Sequence, residues 1–383
     1  MRLLMGVLVA WLCVFFTPVM AEPLAPVPPP TVAARAWLLV DANSGRTLAE
    51  QGADRSVEPA SLTKLMTAYL SFAALRDQHL TLTQRAPVTE SALKTSGAQM
   101  FLLPAAPPTV DELLHGLITV SANDAAMVLA EAVAGSEAVF VQAMNREARR
   151  LGMNQTHFKN ATGLPHPEHR TTARDMARLT RALLRDFPHH YSRFSERAYT
   201  YNRITQSNRN ALLWLDPYVD GLKTGHTAGE GYSLVASARR EGRRLISVLM
   251  GAATEAARTA DSQRLLNYGF ERFETLRLYS ARQGVATLEI FHGQGSTLEV
   301  GFVEDFHVTV PRGAGPLKAQ VIRREPLLAP FRFGQTVATL RVTAGGQAVG
   351  DFPLQALAEV ERAGLFGRLW DNLRLKYRAW TKR

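Results

Sequence analysis

The sequence predicts an α/β fold of the α+β kind: a larger domain whose mostly antiparallel sheet carries helices, then a small all-β domain and a C-terminal helix. Three observations predict it. Strand-like and helix-like segments are interspersed through residues 35–276, with hairpins rather than long crossovers among the strands. After about Arg277 short apolar runs punctuated by glycine take over. From Leu354 the apolar period returns to that of an amphipathic helix.

The chain of 383 residues is long enough for two or three domains and a sizeable core. Its formal charge of +10 points to nucleic acid, anionic lipid or an acidic substrate. No nucleic-acid module accompanies the charge, and basic residues gather near the C-terminus, so a membrane surface is favoured and nucleic acid is not. Residues 1–21 read as a secretory signal: Arg2, an apolar run over residues 3–16, then small Val19 and Ala21 before a cleavage point. The run falls short of the ~20 residues that a membrane span needs. The single cysteine, Cys13, lies in this segment, and bulky Leu12 before it argues against lipidation. The mature chain then has no disulfide.

Residues 22–34, with Pro23, Pro26 and Pro28 to Pro30, read as an extended spacer. A strand over 36–41, a turn through Gly45 and a return strand over 46–50 open the larger domain. Leu62, Leu65, Met66, Tyr69 and Phe72 then mark the buried face of a helix that Pro59 introduces. Residues 81–108 are loop-rich. Thr109 and Glu112 fit a capping box opening a helix through Ile118, which leads into a loop at Ser121 and a further helix ended by Gly135. Another helix covers about 137–151. A long loop over 157–171 precedes a helix capped by Thr172 and Asp175. Two strands, 231–238 and 244–250, turn at Glu241-Gly242, and a helix over about 255–268 closes the domain. The small β domain, residues 277–353, is expected to hold strands at 285–291, 298–302, 306–310, 319–322 and 336–342. The tail, residues 354–383, places Leu365, Phe366, Leu369, Trp370, Leu373, Tyr377 and Trp380 on one helical face with basic residues mostly off it. That pattern suits a helix lying in a membrane surface; the plainer reading docks it on its own domain.

Ser61 and Lys64 stand three apart at the start of the first helix, so their side chains share a face. An amine whose pKa burial lowers can take the hydroxyl proton and make the serine a nucleophile. The pattern alone is weak, because Ser91 and Lys94 repeat it in the loop-rich stretch. Two distant motifs decide between them: Ser121-x-Asn123 in a loop between helices, and Lys223-Thr224-Gly225 at the edge of a strand region. The pair His166 and His169 matches no zinc-protease spacing and is broken by Pro167, so loop histidines are the reading; neither metal nor cofactor is expected.

These three motifs, in this order, resemble the penicillin-binding active-site serine family, which holds the β-lactamases and the D-alanyl-D-alanine carboxypeptidases. The similarity covers nearly the whole chain and is greatest to the low-molecular-mass carboxypeptidases, whose middle motif commonly has glycine where Ala122 stands. The resemblance implies a β-lactamase/DD-peptidase-like catalytic domain over residues 35–276. It implies serine-type removal of the terminal D-alanine from peptidoglycan pentapeptide stems, with β-lactam antibiotics as covalent inhibitors.

The roles follow from that resemblance. Ser61 forms the acyl-enzyme, with Lys64 as its base, depressed by burial and by Lys223. Ser121 relays a proton, and Asn123 offers an amide to the substrate backbone and a carbonyl to Lys64. Lys223 and Thr224 receive the substrate carboxylate, and Gly225 admits the substrate strand. The N–H groups of Ser61 and His226 form an oxyanion hole. Arg258 either helps to hold the carboxylate or is an ordinary exposed helix arginine.

Alternatives of other kinds are a β-lactamase or endopeptidase of the same fold, and a non-catalytic penicillin-binding membrane protein. A β-lactamase of the most similar class needs a Glu-x-x-Leu-Asn loop between the second and third motifs. None occurs: Glu168 is followed by His-Arg-Thr-Thr. The implied protein is exported and held at the periplasmic face of the cytoplasmic membrane by its terminal helix.

Overall fold

A computed structural model describes residues 22, 24, 26–323 and 326–381. The secretory signal and Cys13 lie outside the described residues. The chain divides into two compact units, one of residues 27–278 with 306–312, the other of the remaining described C-terminal residues with the N-terminal ones.

In the larger unit β1 (Ala36–Asp41) and β2 (Thr47–Gln51) form the first hairpin. A single 3₁₀ turn, Ala60–Thr63, leads into α1 (Lys64–Arg76). Next come α2 (Glu90–Lys94) and α3 (Val110–His115), whose capping box pairs Thr109 with Glu112 in both directions. A π-helical turn, Gly116–Val120, ends at Ser121 in the left-handed region, and α4 (Asn123–Ala134) and α5 (Glu137–Arg150) follow. The stretch α6 (Ala173–Asp186) and α7 (Pro188–Tyr191) precedes a small hairpin of β3 (Ala198–Tyr201) and β4 (Ile204–Ser207). After α8 (Leu212–Leu215) the chain lays down β5 (Val219–Thr227), β6 (Gly231–Arg240) and β7 (Arg243–Ala252), then α9 (Glu255–Arg272) and β8 (Phe273–Tyr279).

The main sheet has the order β2-β1-β7-β6-β5, with every neighbouring pair antiparallel. Its turn between β6 and β7 uses Glu241 at φ 49° and Gly242 at φ 80°, the left-handed pair that a tight hairpin requires. Alternation along the strands sends Leu38, Val40, Ile246 and Val248 into a core with α1 and α3–α6. It sends Trp37, Leu39, Leu245 and Leu249 into a second core under α9, with Leu265 and Leu266. The sheet is thus buried on both faces, and β5 is left at its edge.

In the other unit β9 (Gly284–Glu289), β10 (Thr297–Gly301), β12 (Leu317–Ile322), β13 (Thr336–Ala344) and β14 (Gln347–Ala356) form a five-stranded antiparallel sheet of order β12-β13-β14-β10-β9. The terminal helix, α10, spans Leu365–Thr381.

Three differences from the sequence reading bear on how the units are bounded. The end of the spacer is packed rather than extended and loose. Val32 and Ala34 are buried, and Asp261 and Arg264 of α9 bond to the backbone at Ala33 and Thr31. The strand expected at 306–310, here β11 (Phe306–Pro311), pairs with β8 and belongs to the larger unit. The tail does not turn helical at Leu354: β14 runs to Ala356, because Gly345 and Gly346, both at positive φ, fold it back onto β13.

Candidate active site

The site is built where the 3₁₀ turn at Ala60–Thr63 with the start of α1, the loop before α4 and the edge strand β5 come together. Lys64, 1% exposed, sends Nζ to Ser61 Oγ at 3.2 Å and to the carbonyl oxygen of Thr162 at 2.6 Å. Burial first, then the charge of Arg209, pushes the Lys64 ammonium down to about 7, with Asp124 opposing the shift. The sequence reading names burial and Lys223 as the causes; burial stands and Arg209 takes the second place. Ser61 itself is partly exposed.

The turn carrying Ser61 is held from two sides by glycines. At Gly225 of β5 an added Cβ would stand 3.1 Å from the Pro59 carbonyl oxygen and 3.3 Å from Ala60 Cβ. This glycine therefore makes room for the turn carrying Ser61, a packing reason in addition to the substrate strand that the sequence suggests. At Gly163, φ +88°, a Cβ would stand 1.8 Å from the Ala60 carbonyl oxygen. Only glycine fits there, on both conformational and steric grounds.

Ser121 is buried, and its left-handed backbone (φ 66°, ψ 32°) separates the π-helical turn from α4. Such a conformation in a non-glycine residue is a strained one that surrounding structure must hold. Asn123 begins α4; its N–H donates to the Ala98 carbonyl at 2.6 Å and its Nδ2 to the Ser96 carbonyl at 2.6 Å. One amide N–H of Asn123 is thus committed to the neighbouring loop. The carbonyl partner of Lys64 is Thr162, in the place that the sequence reading gives to Asn123. Asp124 anchors the same loop by accepting from the N–H groups of Met100 and Leu102.

On β5, Lys223 and Thr224 are buried and His226 is exposed, its ring stacked on Tyr232 with centroids 4.1 Å apart. Asp220 is clamped by Arg244 of β7 through two bonds of 2.7 and 2.6 Å, which fixes the strand's start. Burial, then the charges of Lys64, Arg209 and Arg258, holds Lys223 well below the ordinary lysine range. Arg258 of α9 is 3% exposed and donates to the Arg209 carbonyl at 3.1 Å. An exposed helix arginine is therefore not what this residue is. Four cations, Lys64, Lys223, Arg209 and Arg258, influence one another here, a potential that suits an anionic ligand group.

The competing pair falls apart. Ser91 is exposed and donates to Glu131 at 2.6 Å, while Lys94, with 73% of its side chain exposed, pairs with Glu90 at 2.5 Å. Glu168 is exposed and paired with Lys159 at 2.9 Å. His169 is buried against Thr63 Oγ1 at 3.0 Å, whereas His166 Nδ1 accepts from the Glu168 N–H. Among the described residues no group of three His, Cys, Asp or Glu is placed to hold a metal ion.

Sequence reasoning missed Arg209 and the segment from Asn160 to Gly163. Arg209 lies in an irregular stretch with no motif. A carbonyl such as that of Thr162 has no side-chain signature, though the Asn160-x-x-Gly163 spacing marks a turn.

Residues 24–254 match the family described as D-alanyl-D-alanine carboxypeptidase, and residues 273–362 match the penicillin-binding protein 5 C-terminal domain. The D-alanyl-D-alanine carboxypeptidase DacC of Escherichia coli (strain K12) is 42% identical over 360 residues, spanning 92% of this chain and 90% of its own. Among solved structures, penicillin-binding protein 5 from Haemophilus influenzae superposes with a TM-score of 0.83 at 36% identity, covering 88% of this chain and 100% of that one. Penicillin-binding protein D2 from Listeria monocytogenes, in its ampicillin-bound form, gives a TM-score of 0.59 at 30% identity over 64% of this chain and 100% of that one.

Proposed function

The chain belongs to the D-alanyl-D-alanine carboxypeptidase family, and from that premise we propose that Ser61, activated by Lys64, releases the terminal D-alanine of peptidoglycan stem peptides through an acyl-enzyme. The observation that carries the reading is the 3.2 Å contact between Lys64 Nζ and Ser61 Oγ, at a lysine brought to about 7. At that value a useful fraction of the amine is neutral near pH 7, and its lone pair can accept the hydroxyl proton.

Ser61 Oγ adds to the carbonyl carbon of the last peptide bond as its proton passes to Lys64. The oxyanion is received by the N–H groups of Ser61 and His226. Ser121 passes the proton to the departing amine, and D-alanine leaves. Water then attacks the ester, and Ser61 regains its proton. The substrate carboxylate lies against Lys223, Thr224 and Arg258, with Arg209 adding to the positive potential. An arriving carboxylate supports the charged form of Lys223 that burial and the neighbouring cations disfavour. Asn123 turns its remaining amide capacity to the substrate backbone.

A β-lactam carries a reactive amide that Ser61 opens in the same way, giving an ester that the site releases slowly. Glu168, exposed and bound to Lys159, is the only acid of the relevant loop that the sequence offers as a water-activating base, and its pairing supports slow release. The test is Ser61→Ala: D-alanine release from a pentapeptide is lost. Release persisting in that variant contradicts the mechanism, and rapid turnover of penicillin by the unaltered protein contradicts slow deacylation.

We propose also that the protein is exported and held at the outer face of the bacterial cytoplasmic membrane by α10. The exposed row on α10 runs from 59% exposure at Leu369 to 89% at Phe366 and includes Trp370, Tyr377 and Trp380. Arg374 and Arg378 pair with Glu289 of β9, and Asp371 accepts from the His292 N–H. The polar side of α10 thus engages its own β unit, and the apolar side is presented outward, as a surface-bound helix requires. Among the described residues no single helix is long and apolar enough to cross a membrane.

A further inference from the structure

We propose that Asn160 is a positioning residue for the reaction: it builds the turn whose Thr162 carbonyl holds the Lys64 amine against Ser61. The inference rests on Lys64 being the base. Asn160 Oδ1 accepts three bonds, from the Thr162 N–H at 3.2 Å, Thr162 Oγ1 at 3.1 Å and the Gly163 N–H at 2.7 Å. Its Nδ2 donates to the Leu164 carbonyl at 3.0 Å. One side chain therefore closes the whole turn, in the manner by which asparagine mimics backbone.

The turn serves the active site at two consecutive carbonyls. The Ala161 carbonyl accepts from Thr67 Oγ1 at 2.7 Å, and the Thr162 carbonyl accepts from Lys64 Nζ at 2.6 Å. Thr67 and Lys64 lie three apart on α1, so the turn is docked along the same helical face that carries the base. Gly163 then brings the turn against the Ala60 carbonyl, where no side chain fits.

The consequence is geometric. A neutral amine has two N–H bonds and one lone pair. Once Thr162 accepts one N–H, rotation about the terminal bond is restricted and the lone pair can be aimed at Ser61 Oγ. Without the carbonyl the amine turns freely and the reactive orientation is one of several. The carbonyl also has an electrostatic effect: its negative end favours the ammonium form, so removing it makes Lys64 easier to deprotonate.

The experiment follows acylation of the full chain by a fluorescent penicillin, as a rate constant against pH, in wild type, Asn160→Ala and Asn160→Asp. Asn160→Ala should lower the plateau about 10- to 100-fold, the scale of a displaced catalytic group, and move the acid limb to lower pH. Asn160→Asp keeps the acceptor for all three bonds, gives up the Nδ2 donor to the Leu164 carbonyl and adds a negative charge. It should hold the plateau above that of Asn160→Ala, within about tenfold of wild type, and move the limb to higher pH. Opposite movements of the limb support the positioning role, since general loosening of the fold would not reverse sign. An unmoved limb in both variants, or a plateau in Asn160→Ala equal to wild type, overturns it. Should Asn160→Ala fail to fold, the limb of Asn160→Asp decides alone: a rise supports the role and no change overturns it. A wild-type profile with no acid limb near 7 instead overturns the assignment of Lys64, and is read without either variant.

Discussion

Replacing Gly163 by alanine tests how far the chemistry depends on the packing behind it. The new Cβ would stand 1.8 Å from the Ala60 carbonyl oxygen and 2.4 Å from its carbon. Both are backbone atoms, so no side chain can swing away, and the turn and the Ser61 segment must separate by roughly 1 Å or more. Gly163 also sits at φ +88°, which costs an alanine about 1–2 kcal/mol. Adding about 1–3 kcal/mol for overpacking gives a destabilisation on the order of 2–5 kcal/mol and a melting temperature lower by roughly 5–15 °C. The retreating turn takes with it the Thr162 carbonyl that holds Lys64. A displacement of this size costs on the order of 100-fold in rate. Stopped-flow acylation by a fluorescent penicillin, beside thermal unfolding by circular dichroism, reads both effects. Acylation within threefold of wild type, with an unchanged melting temperature, would show that the Gly163 turn does not hold the Ser61 segment and Lys64 in place.

Other consequences follow from the same site. Because Lys64 is brought to about 7, the acylation rate should fall with unit slope below that pH and be about a hundredfold lower two units down; a flat profile from pH 5 to 8 contradicts this. Lys64 also links stability to pH. Its folded value near 7 lies below an unfolded value of about 10.4, so between them the unfolded chain binds a proton that the folded chain does not. Stability gained from this group therefore rises from about pH 7 to 10 and is lost as pH falls back. Urea unfolding at pH 7 and 9.5 should show that rise in wild type and a smaller one in Lys64→Met; parallel behaviour of the two proteins counts against it. Trp370→Asp with Trp380→Asp should release the protein from anionic vesicles while D-alanine release in solution stays unchanged, whereas undiminished vesicle binding removes α10 as the anchor.

Much of the site was legible because the chemistry uses short side-chain spacings. Ser61 and Lys64 are one helical turn apart, and Lys223, Thr224 and Gly225 are consecutive on β5, whose burial is nearly continuous rather than alternating. What spacing could not do was separate this pair from Ser91 and Lys94. Burial does that: Lys64 is enclosed and shares its amine with Ser61, while Lys94 reaches into solvent toward Glu90. Contributions from the backbone were invisible, since any residue has the carbonyl that Thr162 offers. Arg209 was missed because its place beside Lys64 and Lys223 is set by tertiary packing of an irregular stretch. Gly225 was found on the expectation that a substrate strand approaches it, and the structure adds a second close approach, to Pro59 and Ala60.

Among the strands, β14 escaped because Pro353 breaks the expected pattern and Leu354 reads as readily with the helix beyond. Its burial is mostly partial, so alternation is faint. The pairing of β11 with β8 was beyond reach for another reason: local pattern identifies a strand but not its partner.

The central claim is that Ser61 is the acylated nucleophile. Peptide mass spectrometry after penicillin labelling of the full chain tests it most directly. One β-lactam adduct is expected, on the peptide containing Ser61 and absent from Ser61→Ala. An adduct on Ser91, or labelling that survives in Ser61→Ala, would contradict it.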